Sequence, residues 1–302
     1  MSDGARILLL TGASGVLGGH LLRRLSGSGV QLRVLTSGRS DAAKFAPLPP
    51  ENVHRFDELE ENPGLIAPGS IVIHAGFART PGGKELAASI DSAQRLFTVA
   101  VREKAAGILN ISSQSVYSPA RQQPAKESDA PAPADLYGMA KFACERLGES
   151  ISAGSSTRFT SLRLGSLIGP EYPERILSKF LARLLKRQNL KLIGGRQVFS
   201  LLDVRDAAEA VIAFSKMPPE RWEACYNLGN PVSIPIAELA RRAAAAVQRI
   251  TGFEAAIELE ETDLALNSSL DSERFRALTG WAPRHTLEES IDTILSFMAG
   301  QN

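Results

Sequence analysis

Tyr137 and Lys141 stand four residues apart in a segment, about 135 to 150, whose pattern predicts a helix. That spacing puts both side chains on one helix face, with Cβ atoms about 5–6 Å apart. A phenol titrates near a pH of about 10 and is a poor acid–base group at neutrality. An ammonium one turn away stabilises the phenolate and brings it toward the working range. Such a pair can give a proton to, or take one from, a carbonyl or alcohol oxygen. The spacing alone is common, so its neighbours must decide.

The first neighbour is a glycine-rich loop. Arg6 to Thr11 is a continuous apolar run of the kind found in strands buried on both faces. Gly12-Ala13-Ser14-Gly15-Val16-Leu17-Gly18 follows at once and opens a helix from Val16 to Leu25. Gly12 permits a tight turn, Gly15 lets backbone approach a pyrophosphate, and Gly18 lets the helix sit close on the strand. The N–H groups of the helix start, from Ser14 through Val16 and Leu17, then face the phosphates. A second strand, Gln31 to Leu35, ends in Thr36-Ser37-Gly38-Arg39. An acid near this point holds the ribose 2′-hydroxyl in NAD enzymes. Positions 34–40 contain none, and Ser37 with Arg39 suits a 2′-phosphate, so NADP(H) is expected over NAD(H). A short third strand, 52–56, ends at Asp57, which joins the expected cofactor contacts. The fourth, Ser70 to Ala75, runs into Gly76, and a small-residue turn there faces the ligand crevice.

Helix and strand continue to alternate through a helix from Lys84 to about Lys104, a strand Gly107 to Ile111, the Tyr137 helix and a strand Thr160 to Leu164. This pattern predicts an α/β fold, a Rossmann-type doubly wound parallel sheet with right-handed crossovers. Beyond it the elements are shorter and mixed. Helices are expected at 174–187, 205–215, 235–250 and 286–299, and strands at 190–193, 199–204, 225–228 and 254–259. The expected division is a dinucleotide-binding domain over 1–165, with 199–230 returning to it. A smaller mixed C-terminal substrate lobe takes 166–198 and 231–302.

Composition narrows the partners. A formal charge of +1 over 302 residues gives no reason to expect nucleic acid or an anionic membrane. No apolar run reaches the ~18 residues of a membrane span. The N-terminus shows no charged region ahead of its apolar run, so no signal peptide is expected. Cys144 and Cys225 lie far apart, and the four histidines form no ligand pattern. No metal and a reducing cytoplasm are therefore expected. The expected partner is a small-molecule substrate, and nothing in the sequence opposes a homodimer.

Taken in order, the motifs make the chain resemble an extended short-chain dehydrogenase/reductase, of the NAD(P)-dependent epimerase/dehydratase superfamily. Thr11-Gly12-x-x-Gly15-x-x-Gly18 resembles the family's cofactor loop. Ser112-Ser113-x-x-Val116-Tyr117 resembles its S-S-x-x-V-Y signature, and Tyr137-x-x-x-Lys141 begins 24 residues after Ser113. Arg163, Gly169-Pro170, Leu202-Asp203-Val204-Arg205-Asp206, Tyr226-Asn227-Leu228-Gly229 and Gly280-Trp281-Ala282-Pro283 follow in the family's order. The resemblance implies that Ser113 holds the reacting oxygen and Tyr137 transfers its proton. Lys141 is then implied to lower the tyrosine pKa and grip the nicotinamide ribose while hydride passes to or from the ring.

Departures from the family pattern bear on the substrate. Sugar-nucleotide dehydratases carry Asp-Glu where this chain has Gln114-Ser115, which argues against dehydration. Ser166 and Ser89 stand where many sugar-nucleotide members have asparagine. Phe199 replaces the arginine that grips the diphosphate. Arg196, three residues earlier, is the expected replacement, so Ser113, Tyr137, Ser166, Arg196 and Phe199 are the candidate substrate contacts. The leading expectation is a reductase or 4-epimerase of a nucleotide-linked sugar. The alternatives are an NADPH-dependent reductase of another carbonyl compound, such as a natural-product ketone, and a non-catalytic dinucleotide sensor.

Overall fold

The computed structural model describes residues 7–38, 42–79, 82–260, 262 and 266–300. Its centre is a seven-stranded sheet. The first strands are β1 (Ile7–Thr11), β2 (Gln31–Thr36), β3 (Val53–Arg55), β4 (Ile71–His74), β5 (Gly107–Ser113) and β6 (Arg158–Leu164). The outlying strands β7 (Ser166–Ile168), β8 (Leu190–Ile193), β9 (Val198–Phe199) and β10 (Leu201–Asp203) precede β11 (Cys225–Leu228), which returns to the sheet. The order is β11-β6-β5-β4-β1-β2-β3, and every pairing within it is parallel. The chain leaves β1 in one direction toward β3 and resumes at β4 in the other. The carboxyl ends of β1 and β4 therefore flank a topological switch point, where such sheets open a ligand crevice.

The apolar runs have a simple cause. Leu8 and Leu10 enter one core with Ile71, Ile73, Leu109 and Ile111. Leu9, Val72 and Ile108, between them in sequence, enter the core on the opposite face. Successive strand residues point to opposite faces, so a sheet covered twice needs apolar residues at both parities. The first face is covered by α1 (Val16–Leu25) and the second by α2 (Gly83–Arg102) and α3 (Leu136–Ser152).

A separate core lies in the C-terminal region. Leu177, Phe180, Leu181 and Leu184 of α4 (Ile176–Leu185) pack with Leu239, Ala243 and Val247 and with Ile291 and Ile294. The last two groups belong to α6 (Ile236–Thr251) and α8 (Leu287–Ala299), which follow α5 (Val204–Ser215). The strands β12 (Ile234–Pro235) and β13 (Ile257–Glu260) pair with β9 and β8 respectively. α5 packs on α1 and so covers the sheet.

Three differences from the sequence expectation have physical reasons. The strand expected over 199–204 is two short ones, interrupted at Ser200, whose buried hydroxyl donates to the Asn230 carbonyl. Asp203 then caps α5, accepting from the Arg205 N–H, so the helix starts at Val204. The strand β7, paired in parallel with β10, lies where the sequence showed only a stop between Gly165 and Gly169. A short helix, α7 (Glu273–Thr279), was not expected at all. It lies against β11, and its Phe275, with nearby Trp281, joins the sheet's first core, although 231–302 was assigned to the substrate lobe.

Candidate active site

Two local devices set the site. Gly12 has φ of +73°, and a Cβ there would lie 2.5 Å from the Ala75 carbonyl carbon. Only glycine lets the β1 turn approach the β4 turn so closely. α1 then begins with Gly15 as its N-cap and no side-chain cap, so its first-turn N–H groups remain to be satisfied. In α3, the Asp135 carboxylate accepts from the Gly138 N–H and fixes the helix start. A Cβ on Gly138 would lie 2.2 Å from the Ser115 carbonyl oxygen. The helix thus sits directly on the turn after β5, bringing Tyr137 to Ser113.

Three adjoining cavities run along the carboxyl edge of the sheet. One of about 730 Å³ lies between the β1, β2 and β4 ends, lined by Ser14, Ser37, Asp57, Ala75 and Gly76 among others. A second, of about 350 Å³, is lined by Gly15 to Gly18, Phe77, Ser113, Tyr137 and Lys141. The third, of about 490 Å³, holds Ser113, Gln114, Tyr137 and Ser166, with Arg79 and Arg175. The structure therefore brings the expected cofactor residues Gly12, Ser14, Gly15, Val16, Leu17, Gly18, Ser37, Asp57, Ala75, Gly76 and Lys141 onto one continuous channel. Arg39 lies outside the described residues. The donor set fits a dinucleotide. Uncapped helix N–H groups stand for the phosphates, and polar side chains at the β2 and β3 ends stand for the adenosine.

Ser113 accepts from the Ser115 N–H at 3.1 Å and lines two of the cavities together with Tyr137. Lys141 is fully buried. Its Nζ donates to the Ile111 carbonyl at 2.8 Å and lies 3.9 Å from the centre of the Phe77 ring. Burial pulls its pKa down to about 8, with Cys144 and Glu145 opposing. The expectation that Lys141 depresses the tyrosine pKa needs correction. Burial raises the Tyr137 pKa, and the charges that pull it down are first Arg79 and Arg175, aided by the Ser113 hydroxyl. The Lys141 ammonium is directed at β5 and Phe77 and lies 5.8 Å from the centre of the Tyr137 ring.

The substrate contacts divide. Ser166 lines the third cavity with Ser113 and Tyr137. Arg196 is exposed and lines none of these three cavities. Phe199 packs against the C-terminal core, pairing with Ile234. Phe77, Arg79 and Arg175 were not among the sequence candidates for the site. The only available signals were the side chains following the Gly76 turn and an arginine at the start of α4.

Several motif residues lie beneath the site instead of in it. Arg163 forms a buried ion pair with Glu145 at 2.6 Å and donates to the Tyr117 hydroxyl at 2.7 Å. Tyr117 donates to Asn227, and Ser112 donates to Glu145. Asp203 pairs with Arg205 and accepts from Ser290, while Asp206 accepts from the His285 N–H. These bonds lock β5, β6, β11 and α3 together and fasten α8 to α5.

Residues 8–229 match the description "NAD dependent epimerase/dehydratase family". The chain belongs to that family. Its members and structural neighbours are enzymes that include epimerases, decarboxylases and dehydratases of nucleotide sugars. The low-salt glycan biosynthesis protein Agl12 of Haloferax volcanii is 25% identical over 98% of this chain and 99% of its own. The UDP-N-acetylglucosamine 4-epimerase of Methanobrevibacter ruminantium M1, solved with UDP-N-acetylmuramic acid, shares the fold at a TM-score of 0.82. It is 18% identical, and the match covers 99% of each chain. MoeE5, solved with UDP-glucose and NAD, has a TM-score of 0.78 at 21% identity, over 97% of this chain and 99% of its own. Among the described residues no helix is long and apolar enough to cross a membrane, and no group of His, Cys, Asp and Glu forms a metal site.

Proposed function

We propose that this protein transfers hydride at a hydroxyl or keto carbon of a nucleoside-diphosphate sugar, as a reductase or 4-epimerase. Ser113, Tyr137 and Lys141 are the working residues. One observation carries the reading. Ser113 and Tyr137 together sit where the dinucleotide channel meets the third cavity, in a family whose named relatives act on such sugars. When bound, the nicotinamide ring supplies the hydride donor or acceptor. Ser113 holds the sugar oxygen, and Tyr137 moves its proton. Burial keeps the phenol protonated at neutral pH, so it stands ready to donate to a carbonyl oxygen. Lys141, held by the Ile111 carbonyl, lines the nicotinamide half and is placed to hold the ribose.

The reading is tested by titrating the cofactor-loaded protein with UDP, dTDP, GDP and CDP, UDP being the nucleotide in the relatives' names. Micromolar binding of one of them is expected. A second reading, reduction of a non-nucleotide ketone, is favoured by one observation: Phe199 is spent in the core and Arg196 stands off the cavities, so the family's diphosphate clamp is missing. Binding no tighter than millimolar for all four nucleotides would establish it. Product formed without net consumption of added dinucleotide identifies an epimerase, and stoichiometric consumption a reductase. NADP(H) is the cofactor proposed, because positions 34–40 hold no acid to oppose a 2′-phosphate. Calorimetric binding of NADPH against NADH checks it, with tighter NADPH expected and equal affinity opposing.

A further inference from the structure

Resting on the NADP(H) reading, we infer that Arg55, at the end of β3, grips the adenosine 2′-phosphate, and that Asp57 is the residue that positions it. β2 and β3 pair in parallel with Thr36 beside Arg55, so the end of β3 lies next to the turn that closes β2. In that turn Gly38 has φ of +75°, and its N–H lies 3.4 Å from the Thr36 hydroxyl oxygen that accepts from it. A Cβ on Gly38 would meet Arg55 Nη1 at 2.8 Å and Cζ at 3.2 Å. The guanidinium therefore lies over bare backbone, in a space that any side chain at position 38 would fill. Ser37, the neighbour of Gly38, and Asp57 both line the cavity between the β1, β2 and β4 ends. Arg55 stands at the rim of that cavity with its side chain more than half exposed, open to a ligand lying there.

One carboxylate aims this guanidinium and leaves part of it unused. Asp57 accepts from Nε at 3.0 Å and from Nη2 at 2.8 Å, while Nη1 makes no hydrogen bond among the described residues. Glu58, the other acid close by, accepts from the Arg55 N–H at 3.0 Å and stands 3.6 Å from His54. An arginine anchored along one edge presents the rest of its planar fork in a fixed direction, and phosphate oxygens match that geometry. The same bonds act on the acid. They hold the Asp57 carboxyl below its usual range and engage both of its oxygens. Asp57 is the acid nearest to where NAD enzymes hold the ribose 2′-hydroxyl, and here it is committed to Arg55 instead. One ion pair thus offers a donor to the 2′-phosphate and withholds an acceptor from the 2′-hydroxyl.

The test is calorimetry on the full-length protein with 2′,5′-ADP and 5′-AMP, which differ only in the 2′-phosphate, and with NADPH and NADH. Wild type should bind 2′,5′-ADP about ten- to a hundredfold more tightly than 5′-AMP, the range of charge-assisted hydrogen bonds. Arg55→Gln should remove most of that ratio, and of the ratio between NADPH and NADH, while leaving 5′-AMP unchanged. Asp57→Asn should lower the ratio in the wild-type background and not in the Arg55→Gln background, a dependence that a merely structural aspartate would not show. A ratio that survives Arg55→Gln overturns this inference alone and leaves the NADP(H) reading standing, with the phosphate held elsewhere. A loss of 5′-AMP affinity in Arg55→Gln as large as that of 2′,5′-ADP also overturns it, since the guanidinium would then act on the adenosine and not on the phosphate. Equal wild-type binding of 2′,5′-ADP and 5′-AMP overturns the NADP(H) reading and this inference with it, whether or not the variants fold.

Discussion

Tyr137 carries the chemistry because of what surrounds it at the scale of single atoms. It is stacked edge-on against Phe77 at 6.1 Å, shares a cavity with Ser113 and is exposed to the field of two arginines. Tyr137→Phe removes one hydroxyl from this setting. Turnover should fall about 10²–10⁴-fold, the worth of a general acid–base group, with dinucleotide binding nearly intact. Single-turnover rates and a parallel binding titration check it, and retention of more than half the wild-type rate would exclude the proposed role. Arg39→Ala should cost about 1.5–3 kcal/mol in NADPH binding and leave NADH almost unchanged, since only a 2′-phosphate offers that side chain a charge-assisted bond. Residues this local were legible in the sequence. Tyr137, Lys141, Gly12, Gly15 and Gly18 are defined by spacing on one helix or one turn, and chain geometry alone sets such neighbours. Phe77, Arg79 and Arg175 were not legible as a set. Arg79 and Arg175 are 96 positions apart and meet only because α4 folds back over the β4 turn.

At the scale of elements, the site depends on α3 holding its place against β5 and β6. Tyr137, Lys141 and Glu145 follow one another at four-residue steps, so the catalytic face of α3 continues into its anchoring face. Glu145 and Arg163 have side chains only 1% and 6% exposed, so removing one partner strands a buried charge. Arg163→Met should cost about 3–5 kcal/mol in urea unfolding, and Arg163→Met with Glu145→Gln should recover part of it. A single variant within about 1 kcal/mol of wild type would show that water reaches the pair. The elements that the sequence concealed share one physical reason. β7 has three residues, β9 two and α7 seven, too short for a period of two or 3.6 to declare itself. Their existence is decided by distant partners, β10 for β7 and β11 for α7. The long elements, with apolar residues at both strand parities or along one helix face, read out directly.

The whole molecule has its weak point against acid at the switch point of the sheet. His74 ends β4, is fully buried, and has burial as the main cause and Lys141 as the second for a pKa pulled down to about 3. The bonding agrees with a neutral ring. The Thr11 hydroxyl accepts from the Gly76 N–H at 3.2 Å, leaving its own proton for His74 Nδ1 at 2.8 Å. Protonation would place a second cation near Lys141 in a site with no carboxylate bonded to the ring. The unfolded chain feels none of this and takes up the proton at the ordinary histidine value of about 6.5. The folded value is the lower one, so this contribution is complete above about pH 6.5 and declines as pH falls toward 3. Linkage then gives a loss of about 2 kcal/mol between pH 7 and pH 5 from this residue. His20, buried in α1 and also shifted downward by burial, adds in the same direction. Asp203, where the Arg205 and Ser290 bonds outweigh burial, acts only in the lower window where carboxylates titrate. Urea unfolding at pH 7 and pH 5 should show the decline, and His74→Asn, which keeps a polar group for Thr11, should flatten it by about 2 kcal/mol. Equal steepness in the variant would mean that the folded protein admits a proton at His74 without opening, and that the switch point is wetter than its packing implies.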